Sequence, residues 1–151
     1  MDRIIKFRGI PVFGKDFVYG YYNVYKSEGK TKHEIITQEN GVTRYEVDPK
    51  TVGQFTGLHD KNDVEIYGGD IVDYTLFDAM DNDTQYKGVI EFSGGVYWIE
   101  TDGTSHMLYD VIMQDCELEV IVNIYENKSL LEVKEIPQFE GTLDKLNKLK
   151  I

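Results

Sequence analysis

Three aspartates in one polar loop, Asp78, Asp81 and Asp83, are the residues whose type and spacing come nearest to a metal site. Carboxylate oxygens are the ligands that hard divalent cations prefer, and a nuclease or hydrolase could use such a cation to activate water. Solvated acids in a loop are far commoner than metal sites. We therefore consider metal-dependent hydrolysis the least favoured of the functions that this sequence allows.

A second acidic stretch begins at Asp60 and could suggest a calcium loop. The helix-flanked calcium loop needs an oxygen ligand at its fifth position, glycine at the sixth and glutamate at the twelfth. Counting from Asp60, those positions hold Val64, Glu65 and Ile71, so the pattern fails. The sequence therefore predicts no metal-binding residue here.

The other groups that commonly do chemistry are isolated from one another. Cys116 is the single cysteine, and its acidic neighbours would raise its thiol pKa and weaken it as a nucleophile. The three histidines share no ligand spacing (His33, His59 and His106). No phosphate-binding loop or dinucleotide fingerprint occurs. We therefore predict a protein that is not an enzyme, with no catalytic residue and no cofactor.

One cluster combines cations with aromatic rings near the start of the chain. Such a patch could stack bases and contact phosphates, as single-strand binders do. It could equally be a sheet whose aromatic residues are buried and whose cations are solvated. We treat it as a possible nucleic-acid or partner contact, and its residues are Arg3, Lys6, Arg8, Lys15 and Phe17.

The net charge of −11 is distributed unevenly along the sequence. Residues 1–50 hold nine Lys and Arg against seven Asp and Glu, whereas residues 51–127 hold two Lys against sixteen acids. A stretch this acidic repels a phosphate backbone, which makes nucleic-acid binding possible but less favoured. It could instead meet a basic partner, a basic half of a neighbouring copy, or a nucleic-acid-binding protein for which it mimics DNA.

Short alternating runs separated by glycine turns predict a mainly β protein of two small subdomains. We place an N-terminal β subdomain at 1–50, a joint at 51–69, a small barrel at 70–127 and a tail with short helical segments at 128–151. No signal peptide or membrane span is visible, so we expect a cytoplasmic protein without membrane contact. The joint and the first residue after it carry turn residues that we interpret as structural: Gly53, Gly57, Asp60, Asn62, Gly68, Gly69 and Asp70.

Four stretches are distinctive in their order along the chain: Ile4–Gly9, Phe17–Gly20, the segment TVGQFTGLHDKNDVEIYGGDIV at 51–72, and EVIVNIYENKSLLE at 119–132. Together, in this order, they resemble the YopX family of phage and prophage proteins. The Gly-Asp turn at Gly69 and the run from Gly88 to Phe92 also resemble the opening strands of SH3-like small barrels. The family resemblance implies a β-rich protein that self-associates, and it carries no catalytic residues to transfer.

The sequence thus predicts a phage-type accessory protein that acts as a non-enzymatic, self-associating protein-interaction module. The alternative is a nucleic-acid-associated protein that uses the basic and aromatic N-terminal patch, or an acidic mimic of DNA. A homo-oligomer is the expected assembly, and the identity of any other protein partner is left open.

Overall fold

The computed structural model describes residues 2–80, 82–123 and 125. Within them the chain is mainly β, as predicted, with a 3₁₀ turn at Pro49–Thr51 and one short helix, α1 (Leu108–Met113). The strands are β1 (Phe7–Gly9), β2 (Val18–Ser27), β3 (Lys30–Thr37), β4 (Thr43–Glu46), β5 (Gly53–His59), β6 (Glu65–Tyr67), β7 (Asp70–Leu76), β8 (Thr84–Ser93), β9 (Val96–Glu100), β10 (Ser105–Met107) and β11 (Glu119–Asn123).

The first of two compact units covers Met1–Gly57. Its strands lie in the order β4-β3-β2-β1-β5, in a sheet whose sixth strand is β6. β2 and β3 form a long antiparallel hairpin that closes at the pair Ser27↔Lys30. The two residues between them, Glu28 and Gly29, have φ of 50° and 75°. Positive φ at both central positions is the geometry that matches the twist of a tight hairpin.

The second unit begins at Leu58, inside β5 and within the segment that the sequence predicts as a joint. Its antiparallel sheet has the order β10-β9-β8-β7-β11. One face of this sheet packs with α1 and the loop after it to form a hydrophobic core. The core residues are Ile66, Val72, Tyr74, Ile90, Ile99, Leu108, Val111, Cys116 and Leu118.

Alternation along the strands explains why this core forms. Val72 and Tyr74 of β7 share one face of the sheet, and both are at most 1% exposed. Asp73 lies between them on the other face, where it is only partly buried. Successive side chains on a strand point to opposite faces, so a single register places Val72 and Tyr74 together in this core, whereas Ile71 is buried on the other face.

Two finer expectations have different outcomes. The described strands of the second unit form an open sheet in which β10 and β11 are the two edges, so the closed SH3-like barrel is not seen in this part of the chain. The predicted helical segments at 128–151 lie outside the described residues. Among the residues described, no helix has the length and hydropathy needed to cross a bilayer.

Candidate interaction surfaces

The most prominent aromatic surface of the first unit is a row of tyrosines on β2. Tyr19, Tyr21 and Tyr25 are 39%, 57% and 42% exposed, and alternation places all three on the same face of the sheet. We call these three residues the tyrosine face. Tyr22 points to the opposite face, where its hydroxyl lies 2.6 Å from Nδ1 of His33. Burial raises the pKa of Tyr22 above the ordinary phenol value.

Cations from neighbouring strands surround the tyrosine face. The Nζ of Lys6 lies 5.6 Å from the centroid of the Tyr19 ring. The β2–β3 register sets Lys32 opposite Tyr25. Arg44 lies one strand further out, on the row that begins at Tyr21 and passes through Ile36. The face therefore combines exposed aromatic rings with cationic side chains.

Two of these cations are held by carboxylates on the same face. Arg44 Nη1 lies 2.6 Å from Oε1 of Glu34, and the arginine side chain remains 60% exposed. The amide of Asn23 donates to the same oxygen at 2.9 Å. Lys32 forms a comparable pair with Glu46 at 2.7 Å, which raises the pKa of this exposed lysine. These contacts fix the positions of the cationic side chains without removing them from the surface.

The predicted basic and aromatic patch is placed differently from the tyrosine face. Arg8 and Phe17 are only 6% and 9% exposed, and the guanidinium carbon lies 4.4 Å from the centroid of the Phe17 ring. Their cation–π contact is therefore largely internal to the unit. Lys6 is half-buried beside Tyr19, while Arg3 and Lys15 are exposed. Of the five predicted residues, only these three present their cations at the surface.

The sequence analysis did not single out Tyr21, Tyr25, Lys32 or Arg44 as contact residues. The alternation of aromatic residues along 17–25 is visible in the sequence and could have indicated an exposed face. Lys32 and Arg44 join that face only through strand pairing. A pairing register between separate strands cannot be read from either strand alone.

The predicted turn residue Asp60 is 7% exposed, and its carboxylate accepts hydrogen bonds from three backbone N–H groups. Its Oδ1 accepts hydrogen bonds from the backbone N–H groups of Asn62 and Val64 at 2.8 and 2.9 Å. Its Oδ2 accepts a third from Val120 at 2.9 Å, which ties the turn to β11. The side chain of Asn62 donates to Glu119 at 3.3 Å and reinforces the same link. We call this arrangement, residues 60–64 held against β11, the Asp60 clamp.

Asp70 occupies the second predicted turn and is 1% exposed. Its Oδ2 accepts the N–H of Tyr67 at 2.7 Å, and its Oδ1 accepts the side-chain amide of Asn123 at 3.3 Å. Gly69 before it has φ of 91°. Gly53 and Gly57, predicted as turn residues, lie instead within β5, where Gly57 has φ of 85°. This region of backbone conformation is one that glycine adopts without steric cost. The carboxylates of both predicted turn residues, Asp60 and Asp70, thus accept hydrogen bonds from the protein's own amides.

The acidic loop offers little to a metal ion in the part of it that the structure describes. Oδ1 of Asp78 accepts backbone bonds from Asn82 and Met80 at 2.9 and 2.7 Å, and these bonds lower the pKa of this exposed carboxyl. Asp83 is exposed and Asp81 lies outside the described residues. Among described residues, no three His, Cys, Asp or Glu side chains are grouped so that they could hold a metal.

The remaining reactive side chains are buried or held by neighbours. Cys116 is 2% exposed, and burial, with a smaller contribution from Asp115, raises the pKa of its thiol. The hydroxyl of Tyr74 lies 2.6 Å from Nδ1 of His106. Burial also raises the pKa of Tyr74 well above the ordinary phenol value. Both shifts suppress the ionised form that would act as a nucleophile.

A cavity of about 270 Å³ opens beside β8 in the second unit. Its walls come from β8 and from the turn between β9 and β10, and the lining is mostly polar. The ring of Tyr86, one of the lining residues, stacks on Tyr74 and meets His106 edge-on, with centroids 5.6 and 4.9 Å apart. The lining residues are Gln85, Tyr86, Lys87, Thr101 and Asp102.

Comparison with known proteins gives a family and a structural neighbour. The model of one protein family, described as YopX protein, matches residues 6–132. The crystal structure of protein EF1440 from Enterococcus faecalis is similar to this chain, with 26% identity and a TM-score of 0.50 over 86% of this chain and 99% of that one. No curated protein matches the sequence. Because the family match extends over most of its length, the chain belongs to the YopX family.

Proposed function

We propose that this protein is a non-enzymatic interaction module that self-associates, with the tyrosine face of one copy meeting the acidic second unit of another. The observation that carries the proposal is the tyrosine face itself, three exposed tyrosines on one strand with Lys6, Lys32 and Arg44 around them. Tyrosine and arginine are enriched in protein interfaces, where they contribute large contact areas.

The charges of the two units support a contact between copies. Residues 1–57 hold nine Lys and Arg against seven acids, whereas residues 58–125 hold two Lys against fifteen acids. Complementary charge steers encounter and fixes register more than it sets final affinity. A contact between unlike surfaces is heterologous, so repeated copies form a ring or an open chain rather than a simple twofold dimer.

The non-enzymatic part of the proposal draws on how the reactive side chains are held. Within the described residues, the thiol is buried, Asp60 and Asp70 are engaged by backbone amides, and no metal-binding group is assembled. A binding role needs none of these groups. We also propose that the protein is a phage or prophage accessory protein that acts in the cytoplasm of the host cell.

Light scattering after size exclusion tests self-association directly. At about 0.1 M salt the Debye length is roughly 10 Å, and at about 1 M it is roughly 3 Å. We expect a mass above the 17.4 kDa of one chain at the lower salt and a smaller mass at the higher salt. A mass of one chain at both salts, over the accessible range of protein concentration, would refute the proposal.

A second candidate function is binding of single-stranded nucleic acid on the same face. Tyr19 and Tyr21 are two residues apart on one strand, about 7 Å, and exposed rings at such spacing can stack on successive unstacked bases. The overall charge of −11 opposes this function. Fluorescence anisotropy with labelled oligothymidylate decides it, because a stacking platform must bind at low salt and a protein interface need not.

A further inference from the structure

The strand β8 is longer than the strand that pairs with its outer side. It pairs with β7 from Thr84 to Val89, but with β9 only from Val89 to Ser93. β9 ends at Glu100, and the chain then turns back to form β10, which pairs with β9. Among the described strands, the segment from 84 to 88 therefore has a neighbour on one side only.

The hydrogen bonds between β7 and β8 determine which backbone groups of β8 point to the open side. In an antiparallel strand the N–H and C=O of one residue point the same way, and successive residues alternate. The C=O of Ile90 accepts from Gly69, the residue just before β7, so even-numbered residues of β8 point towards β7. By alternation, the N–H and C=O groups of Gln85 and Lys87 point away from β7.

A second hydrogen bond independently shows which residues of β8 point towards β7. The N–H of Thr75 on β7 donates to the C=O of Cys116 at 3.0 Å, on the side away from β8. The even-numbered residues of β7 must then bond to β8, and their register partners are Tyr86 and Gly88. Both observations therefore agree that Gln85 and Lys87 offer their backbone groups to the open side.

The cavity beside β8 lies where those groups point. Gln85, Tyr86 and Lys87 line it together with Thr101 and Asp102 from the turn beyond β9. At its inner end Gly88 is packed so closely that an added Cβ would lie 2.5 Å from Cγ2 of Ile99. The cavity thus begins where β9 stops, in line with the space that a longer β9 would occupy.

We propose that this edge of β8 binds an extended peptide segment of a partner protein, which joins the sheet as an added strand. The segment would continue the row of bonds that β9 makes, using the N–H and C=O of Lys87 and Gln85. Strand addition to an exposed edge derives its affinity from main-chain bonds and its specificity from alternate side chains. The site is separate from the tyrosine face and does not depend on the proposed self-association.

The side chains around the edge define the chemistry of the segment. On one face of the sheet, Lys87 lies 3.9 Å from Asp73, and Gln85 donates to both oxygens of the same aspartate. On the other face the ring of Tyr86 offers apolar contact. Lys87 is the cation and Asp102 the anion of the cavity lining, so a segment with an acidic residue beside Lys87, away from Asp102, and a β-branched apolar residue beside Tyr86 fits this pattern.

Amide hydrogen exchange followed by NMR tests the inference on the whole chain. The probe is an acetylated and amidated seven-residue peptide of alternating valine and threonine with a central glutamate. A matched probe has the same sequence but carries methyl groups on two consecutive central backbone nitrogens. We expect the first probe to slow exchange at Gln85 and Lys87 at least tenfold and the methylated probe to have no effect there.

A variant separates main-chain bonding from simple surface contact. Lys87→Pro removes an N–H that points to the open side, where proline is tolerated because the bonds to β7 do not use that group. Binding of the peptide should be lost, whereas Lys87→Gln, which keeps the N–H and removes the charge, should weaken it only a few-fold. Equal binding of both peptides by the unmodified chain would overturn the inference without recourse to any variant. Slow exchange of both amides in the free protein, or slowing confined to other residues, would overturn it as well.

Discussion

Replacing Asp60 by asparagine changes one atom in a group that accepts three backbone hydrogen bonds. The amide oxygen can still accept from Asn62 and Val64, as Oδ1 does at 2.8 and 2.9 Å. The new NH₂ group then faces the N–H of Val120, which Oδ2 accepts at 2.9 Å in the native protein. Two donors would face each other in a site where the side chain is 7% exposed.

The magnitude follows from those bonds. A hydrogen bond to a charged group contributes about 1.5–3 kcal/mol net, and a buried group left without its partner costs about 1–3 kcal/mol. One bond is lost and two are weakened, so we expect Asp60→Asn to lower the free energy of unfolding by about 2–4 kcal/mol. For a chain of this length that corresponds to roughly 5–15 °C in Tm. Such a loss is a large share of the roughly 5–15 kcal/mol typical of a domain.

Urea unfolding followed by tryptophan fluorescence measures this loss, because Trp98 is the single tryptophan and lies on β9 in the second unit. Asp63→Asn is the matched control, since it removes one charge from the same turn at an exposed position. Asp63 has φ of 63°, a conformation that asparagine also adopts, so the control should change stability by less than about 0.5 kcal/mol. If the two variants unfold at the same urea concentration, the Asp60 clamp does not stabilise the second unit.

Three further predictions concern buried groups of the second unit. Burial raises the pKa of Tyr74 above its unfolded value of 10.0, so its contribution to the free energy of unfolding is complete below that pH and falls as pH rises beyond it, by up to about 1.4 kcal/mol per pH unit. Tyr74→Phe should therefore reduce the pH dependence of the free energy of unfolding, measured with urea at alkaline pH. An unchanged pH dependence would contradict the raised pKa of Tyr74. Cys116, 2% exposed and with a raised thiol pKa, should react with a thiol reagent only in denaturant, and rapid labelling in native buffer would show that it is accessible. Gly88→Ala would set a Cβ 2.7 Å from the C=O of Glu100, so we expect a loss of about 1–3 kcal/mol in urea unfolding, whereas the exposed neighbour Thr84→Ala should change little.

Local chemistry explains what could be predicted from the sequence. Alternating runs and the glycines between them, such as those along β2 and at Gly29, depend only on neighbouring residues, and the mainly β structure that they predict is confirmed. The side-chain contacts of Asp60 with Asn62 and Val64 also lie within five residues. Patterns of this range are the ones that single-sequence reasoning can evaluate.

Contacts between distant residues explain what could not be predicted. The hydrogen bond from the N–H of Val120 to Asp60 joins residues sixty positions apart, and the local sequence around either residue does not predict its partner. The burial of Arg8 depends on the ring of Phe17, which directly precedes the next strand. The helix α1 was not expected, because it has six residues and its N-cap, Met107, supplies no side-chain hydrogen bond. The open edge of β8 depends on where β9 ends.

The tyrosine face is the central element of the proposed function, and a pair of variants in one sheet tests it most directly. Tyr21→Thr removes the most exposed ring of the face, and Tyr45→Thr removes a 37% exposed ring from the opposite face of the same sheet. Threonine is favoured in strands, so both variants should fold. Sedimentation velocity at low salt should show the assembly intact for Tyr45→Thr and dissociated to single chains for Tyr21→Thr. Assembly of Tyr21→Thr at the same concentration as the unmodified protein would contradict the account.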